Sequence, residues 1–250
     1  MSTSGVLLTL DIGNSATKAG WFRDGELLSS ERFEGHEPDA LSNWLVTLRD
    51  LAPATPERVA LVSVVPALTE RVRDALHGVP LLLAGTPSLK LSVRVHDEVH
   101  GLGNDRLLAA EAAFAHAKGA ALAITAGTAT TFTAVDANGI VLGGAIAPGL
   151  QIGANALFAA GAQLFSVELR APERVLARNT TEAMQAGVVL GHAALIDGLL
   201  DRFERELGTL AVIGTGGWMG LLTPLLRHAV VVDPHLILRG LAQAAVSSRT

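Results

Sequence analysis

Short apolar runs alternate with stretches of helical periodicity along the whole chain. Val6–Leu10, Val59–Val65, Leu81–Ala84, Ala120–Ile124, Leu210–Ile213 and Val230–Val232 are apolar and bounded by turn residues. That is the pattern of buried strands. Apolar positions recur at helical spacing in Leu41–Leu51, Leu68–His77, Asp105–Ala117, Thr181–Leu207, Met219–Arg227 and Leu236–Val246. Pro38 and Asp39 open the first of these helices, and Asp105 stands where an N-cap would stand on the third. Strands and helices alternate, so the expected class is α/β.

The pattern also repeats. Laid without gaps on Leu122–Val141, the segment Leu8–Leu27 matches Leu10 to Ile124, Gly13 to Gly127, Thr17 to Thr131 and Gly25 to Gly139. Each copy reads as strand, glycine turn, strand, Asx-Gly turn, strand, the Asx-Gly pairs being Asp24-Gly25 and Asn138-Gly139. Two halves facing across a cleft are therefore expected, residues 1–118 and residues 119–250, with no low-complexity linker between them.

Composition narrows the class. The 250 residues suit one large domain or two of ordinary size, and 49% hydrophobic residues supply a core with room for an apolar subunit interface. A net charge of −5 without a Lys/Arg run argues against nucleic acid as a partner. The absence of cysteine excludes disulfides, thiol catalysis and zinc–thiolate sites. The start, MSTSGVLLTLD, has no basic region before its short apolar run, which is not a secretory pattern. Ala137–Val167 is free of charge but carries Pro148, Gln151, Asn155, Gln163 and several glycines, so it does not read as a membrane span. A soluble cytoplasmic protein with no membrane partner is expected.

The two glycine turns carry the candidate chemistry. DIGNSATK (Asp11–Lys18) and TAGTATTF (Thr125–Phe132) each leave a strand through glycine and small polar residues. Such turns bring backbone N–H groups close to a ligand and attract anions. Ser15, Thr17, Thr128, Thr130 and Thr131 add hydroxyls and Lys18 adds a positive charge. Asp11 beside an anion site is unfavourable unless a cation intervenes, and Mg²⁺ carried by a nucleotide is such a cation. Facing hairpins of this kind would hold the phosphates of ATP from both sides. No Walker A motif occurs, and GTGGWMG (Gly214–Gly220) has Met219 where a dinucleotide fingerprint needs its third glycine. Trp218 in that stretch could stack on a base, although an aromatic of this kind more often packs in a core. His96 and His100 are spaced for a metal only on a helix, whereas the stretch before GLGNDR reads as extended or looped.

Seven motifs in register along nearly the whole chain resemble those of type III pantothenate kinase, in the acetate-and-sugar-kinase/Hsc70/actin superfamily. They are DIGNSATKAGWF, SVVP (Ser63–Pro66), GLGNDR (Gly101–Arg106), AGTATTF with GGAIAPGL (Gly143–Leu150), RNTTEAMQAG (Arg178–Gly187), GTGG (Gly214–Gly217) and LILRGL (Leu236–Leu241). The resemblance implies two duplicated ribonuclease-H-like domains with an ATP cleft between them. It implies ATP-dependent phosphorylation of pantothenate to 4′-phosphopantothenate, the first step towards coenzyme A. Asp11, Gly13, Asn14, Ser15, Lys18 and Thr128 would bind ATP, with Asp11 near its Mg²⁺. His96, Gly103, Asn104, Asp105, Arg106 and Thr180 would bind pantothenate, with Asp105 as the general base and the Arg106 fork suited to a carboxylate. It also implies a homodimer, to which Thr181–Leu207 and Ala156–Phe165 would contribute, and a monovalent cation, K⁺ or NH₄⁺.

The chain departs from the family pattern at four positions. Thr125 stands where the family has its cation-linked aspartate, His96 where relatives have a tyrosine, Val99 where a proline follows, and Thr133 where an aspartate is common. Thr125 supplies no negative charge, so a weak cation response is expected. A weakly active or regulatory homologue on the same scaffold is the alternative function, and another small-molecule kinase of the superfamily is a broader one.

Overall fold

The computed structural model describes residues 5–35, 37–51, 53–161 and 164–248. The chain builds two sheets. The first holds β1 (Val6–Ile12), β2 (Ala16–Arg23), β3 (Glu26–Glu34), β4 (Pro56–Ser63) and β5 (Leu81–Leu83) in the order β3-β2-β1-β4-β5. The second holds β6 (Arg94–Val95), β7 (Ala121–Ala126), β8 (Ala129–Val135), β9 (Ile140–Pro148), β10 (Ala211–Thr215) and β11 (Val231–Val232) in the order β11-β10-β7-β8-β9-β6. Leaving β6 aside, the two strand orders are the same, with the first hairpins antiparallel and the later strands parallel.

Helices cover both sheets. α1 (Pro38–Leu51) and α2 (Pro66–Ala75) pack on the first sheet, where Leu41, Leu45, Leu48, Leu68 and Val72 meet Leu8, Leu10 and Trp21. On the second sheet, α5 (Thr180–Gln185) continues through a π-helical turn, Ala186–Leu190, into α6 (Gly191–Leu207). Ala193, Ile196 and Leu200 of α6 meet Leu122, Ile124 and Phe132 there. Sequence periodicity extended one helix over Met219–Arg227. The structure instead has a short α7 (Met219–Leu222) and a 3₁₀ turn, Thr223–Leu225, because Pro224 has no N–H to continue the helix. α4 (Leu150–Ala160) carries no periodic apolar signal and was not expected.

Between the two sheets lie α3 (Asn104–Ala117) and α8 (Leu236–Ser247). Leu108, Ala109, Ala112, Leu238, Leu241 and Ala245 share one core with Leu7, Phe22 and Ala60 of the first sheet and Ala121, Val135 and Ile213 of the second. The helices touch backbone to backbone: a Cβ on Gly240 would lie 2.1 Å from the Leu108 carbonyl oxygen. Two segments cross between the halves, since β6 pairs with β9 and α8 packs on β1, β2 and β4.

The internal repeat needs one correction. The first glycine turn spans Gly13–Ser15, whereas the second has only Gly127 and Thr128. Asp11 pairs with Lys18 and Thr125 with Thr131, so Lys18, not Thr17, is the counterpart of Thr131. A one-residue slip reverses every side chain of a strand. Thr17 and Thr130 accordingly both point into the cores, fully buried, while Lys18 and Thr131 point into the cleft. The sequences regain step at the next turn. Asp24 and Gly25 form a two-residue hairpin with positive φ at both positions, and Asp136–Gly139 form a four-residue loop.

Two glycines in helices should respond in opposite directions. Gly240→Ala forces the two central helices apart and should destabilise the protein by about 1–3 kcal/mol. Gly198→Ala in α6 meets no neighbouring atom and should stabilise it by about 0.5–1 kcal/mol. Urea denaturation of both variants measures the contrast.

Candidate functional site

A cleft of about 500 Å³ opens where the ends of β1, β7 and β10 face one another. Asp11 is the last residue but one of the buried strand β1, Gly13, Asn14 and Ser15 form the turn that follows, and Lys18 projects from β2. Thr125 comes from β7, while Gly127 and Thr128 form the facing turn. The two turns touch, with the Ser15 and Thr128 hydroxyls sharing a hydrogen bond of 3.0 Å. Asp105 enters from the first turn of α3. The structure thus gathers Asp11, Gly13, Asn14, Ser15, Lys18, Thr125, Thr128 and Asp105 around one space.

Asp105 is not the N-cap of its helix. Gly103 holds that place with extended backbone, and no side chain caps the turn. The Asp105 carboxylate folds over Gly103, 2.5 Å from where a Cβ would sit. Gly103 therefore leaves space for the carboxylate, and the positive end of α3 favours its charge.

The remaining expected residues lie outside the cleft lining. Asn104 donates to the Ala84 carbonyl at 3.5 Å. Arg106 donates from Nη2 to the Phe132 carbonyl at 2.8 Å and from Nε to Thr133 Oγ1 at 3.2 Å, tying α3 to β8. Burial lowers the Arg106 pKa and the Asp105 charge opposes that shift. His96 follows β6 on the surface, and its Nδ1 accepts from the Glu98 N–H at 3.3 Å. His96 and His100 are not on a helix, and among the described residues no group of three His, Asp or Glu is placed to hold a metal. Thr180 is exposed at the start of α5.

Other cleft residues were not named as binding residues, apart from Trp218, which was read as able to stack on a base. Arg32 of β3 lies across from Lys18, one strand further out. Gln151 and Ile152 come from the start of α4, and Thr215, Gly216, Gly217 and Trp218 from the end of β10. Period-2 reading outward from Lys18 would have found Arg32, and the strand ending at GTGG would have found Thr215. Trp218 lines the cleft and also packs against the α6 core.

Electrostatically the two walls differ. Burial pushes the Asp11 carboxyl up to about 6, with the Asp105 charge adding to the rise and Lys18 opposing it. Burial also lowers the Lys18 pKa, against the pull of Asp11. The pair lies directly opposite in the β1–β2 ladder. At the equivalent place the second wall has two uncharged residues, Thr125 and Thr131. A buried carboxylate facing an open cleft is a place for a cation brought by a ligand.

Residues 7–202 match the family model of type III pantothenate kinase. The type III pantothenate kinase of Roseiflexus sp. is 38% identical over 247 residues, covering 94% of this chain and 96% of that protein. That of Thermus thermophilus is also 38% identical, covering 94% and 97%. Among solved structures, the (R)-2-hydroxyglutaryl-CoA dehydratase component A of Acidaminococcus fermentans aligns with a TM-score of 0.59 at 16% identity, covering 99% of this chain and 100% of that one. A ROK family glucokinase from Streptomyces griseus, solved with glucose and AMPPNP, aligns at 0.56 and 15% identity, covering 98% and 99%. At such identities these structures establish the fold, which is the actin-like ATPase and kinase fold.

The Asp11 shift has a consequence for stability. Its folded pKa lies above the unfolded one, so its contribution is favourable below about pH 4 and is lost as pH rises through 6. Asp11→Asn should therefore stabilise the nucleotide-free protein at pH 8, by on the order of 2 kcal/mol. The gain should vanish near pH 4. Thermal melts of both proteins across that range measure it.

Proposed function

The chain belongs to the type III pantothenate kinase family, and from that premise we propose how its cleft performs the family's reaction. The protein is a pantothenate kinase: it transfers the γ-phosphoryl group of ATP to the primary hydroxyl of pantothenate, in coenzyme A biosynthesis. The observation that carries the site assignment is the meeting of Asp11, Lys18, both glycine turns and Asp105 in one cleft. No observation favours the regulatory alternative.

The nucleotide phosphates lie between the Gly13–Ser15 and Gly127–Thr128 turns, with Ser15 and Thr128 as donors and Lys18 as the nearby positive charge, while the Gly13 and Gly127 N–H groups close the turns themselves by donating to the Ala16 and Ala129 carbonyls. A divalent ion bound to ATP, Mg²⁺ in our reading, fits Asp11, whose buried carboxyl has a raised pKa and faces the cleft. That ion would screen the phosphate charge as it redistributes in transfer. Asp105 orients the pantothenate hydroxyl and takes its proton as the oxygen–phosphorus bond forms and the bond to the β-phosphate oxygen breaks. ADP and 4′-phosphopantothenate leave. The family resemblance assigns the pantothenate side to Gly103, Asn104, Arg106, His96 and Thr180; the first three adjoin Asp105 in sequence, whereas His96 and Thr180 lie outside the cleft lining. Arg106 already uses two of its donors to hold β8, so its remaining N–H groups are the ones open to a carboxylate. ATP as phosphoryl donor fits a cytoplasmic setting.

We also propose a homodimer. α4 exposes Ile152 and Leu157, the following segment exposes Phe165, Val175 and Leu176, and Ile146 is exposed on β9. Ala162 and Gln163, within the Ala156–Phe165 segment, lie outside the described residues. An apolar surface of this extent suits a subunit interface. Light scattering at micromolar concentration should give twice the chain mass, and a monomer would remove this part of the reading.

Two variants test the chemistry. Asp105→Asn should lower kcat by about 10²-fold or more while ATP binding stays near wild type; unchanged turnover would reduce Asp105 to a structural role. Wild-type activity should respond weakly to potassium, because Thr125 brings no charge. Thr125→Asp should steepen the response, measured as initial rate at fixed Mg·ATP and constant ionic strength. Strong saturable activation of the wild type, unaltered by Thr125→Asp, would show that Thr125 is not at a cation site.

A further inference from the structure

Three threonines stand side by side on the second wall of the cleft. Thr131 of β8 pairs with Thr125 of β7, and Thr125 pairs with Thr215 of β10. Residues paired in register on neighbouring strands put their side chains on the same face, with strands about 4.8 Å apart. All three line the cleft. Their outward neighbours in the ladder, Ile124, Ala126, Phe132 and Gly214, face the other way or pack in the core. The ladder is therefore a row of hydroxyls across three strands, at the level where the first wall has Asp11 and Lys18.

Thr215 is the informative member. It is 1% exposed, and its Oγ1 is buried with no hydrogen-bond partner. A buried hydroxyl without a partner is costly, so a position that keeps one calls for a group that completes it. Val62, which holds the corresponding place beside Asp11 on the first sheet, is apolar and buried. The hydroxyl at 215 is thus not a demand of the repeated fold. An anionic oxygen would be repelled by Asp11 on one wall, while the facing ladder offers three uncharged donors.

We infer that Thr215, with Thr125 and Thr131, forms a hydroxyl ladder that hydrogen-bonds a phosphate oxygen of the bound nucleotide. The inference rests on the kinase reading of the cleft and adds binding residues to it. The ladder holds the phosphate chain against the second sheet without adding charge, leaving Lys18 and the cation at Asp11 to balance the phosphates from the first. Thr215 positions the nucleotide and takes no proton.

Calorimetric titration with ATP, ADP and adenosine tests this, because it needs no turnover. Thr215→Val keeps the shape and removes the hydroxyl. It should weaken ATP binding by about tenfold or more, the scale of one hydrogen bond to a charged group, and leave adenosine binding unchanged. Thr215→Ser should bind ATP like the wild type. The nucleotide-free Thr215→Val protein should melt at or above the wild-type temperature, since the lost hydroxyl had no partner; a purely structural hydroxyl would lower it. Unchanged ATP affinity in Thr215→Val, beside normal wild-type turnover on pantothenate, overturns the inference and leaves the kinase reading standing. Equal losses for ATP and adenosine also overturn it, because the hydroxyl would then read the nucleoside. A wild type that binds no ATP removes the kinase reading and the inference with it.

Discussion

The close crossing of α3 and α8 sets the geometry on which the cleft depends. Gly240 lets the two backbones approach at Leu108, and the alanines of both helices keep the seam thin. Each sheet packs on this pair from its own side. The spacing of the sheets therefore follows from the helices, and so does the distance between the two glycine turns. The same pair delivers chemistry, because α3 brings Asp105 to the cleft with its first turn and α8 brings Ile237. A larger residue at the crossing would alter the core and the site together.

The two walls share a fold but divide the electrostatic work. The first holds a buried carboxyl and an ammonium, each shifted towards its neutral form by burial. That arrangement is costly in the free protein and becomes useful when a cation and an anion enter together. The second wall avoids the cost with hydroxyls. Neutral groups there keep the cleft from accumulating like charge around the triphosphate, and they remain in one protonation state across the pH range in which Asp11 titrates.

Much of the architecture was legible because buried strands and glycine turns leave local signals. Val6–Leu10 and Ala120–Ile124 are apolar runs, and Gly13 and Gly127 mark their turns, so the duplication could be read directly. The register within it could not. Thr17 and Thr131 align in an ungapped comparison, yet the extra residue in the Gly13–Ser15 turn moves them to opposite faces. Only cross-strand pairing reveals that. Helix α4 escaped because its apolar residues are spread around the axis, most of them exposed, leaving no periodic stripe. Arg106 was read as a free fork, since nothing local indicates that its guanidinium reaches the Phe132 carbonyl. Thr215 was passed over because its place in the cleft comes from pairing with a strand far away in sequence.

The packing of α8 on the first sheet also governs how the chain is made. All five strands of that sheet have been synthesised by Leu83, but the helix that covers Leu7, Phe22 and Ala60 begins at Leu236. At ordinary rates of translation the cover reaches the sheet on the order of ten seconds later. During that interval the nascent chain carries an apolar sheet face that α8 has yet to cover. Completion of the first half therefore waits for α8, although every strand of its sheet is made long before.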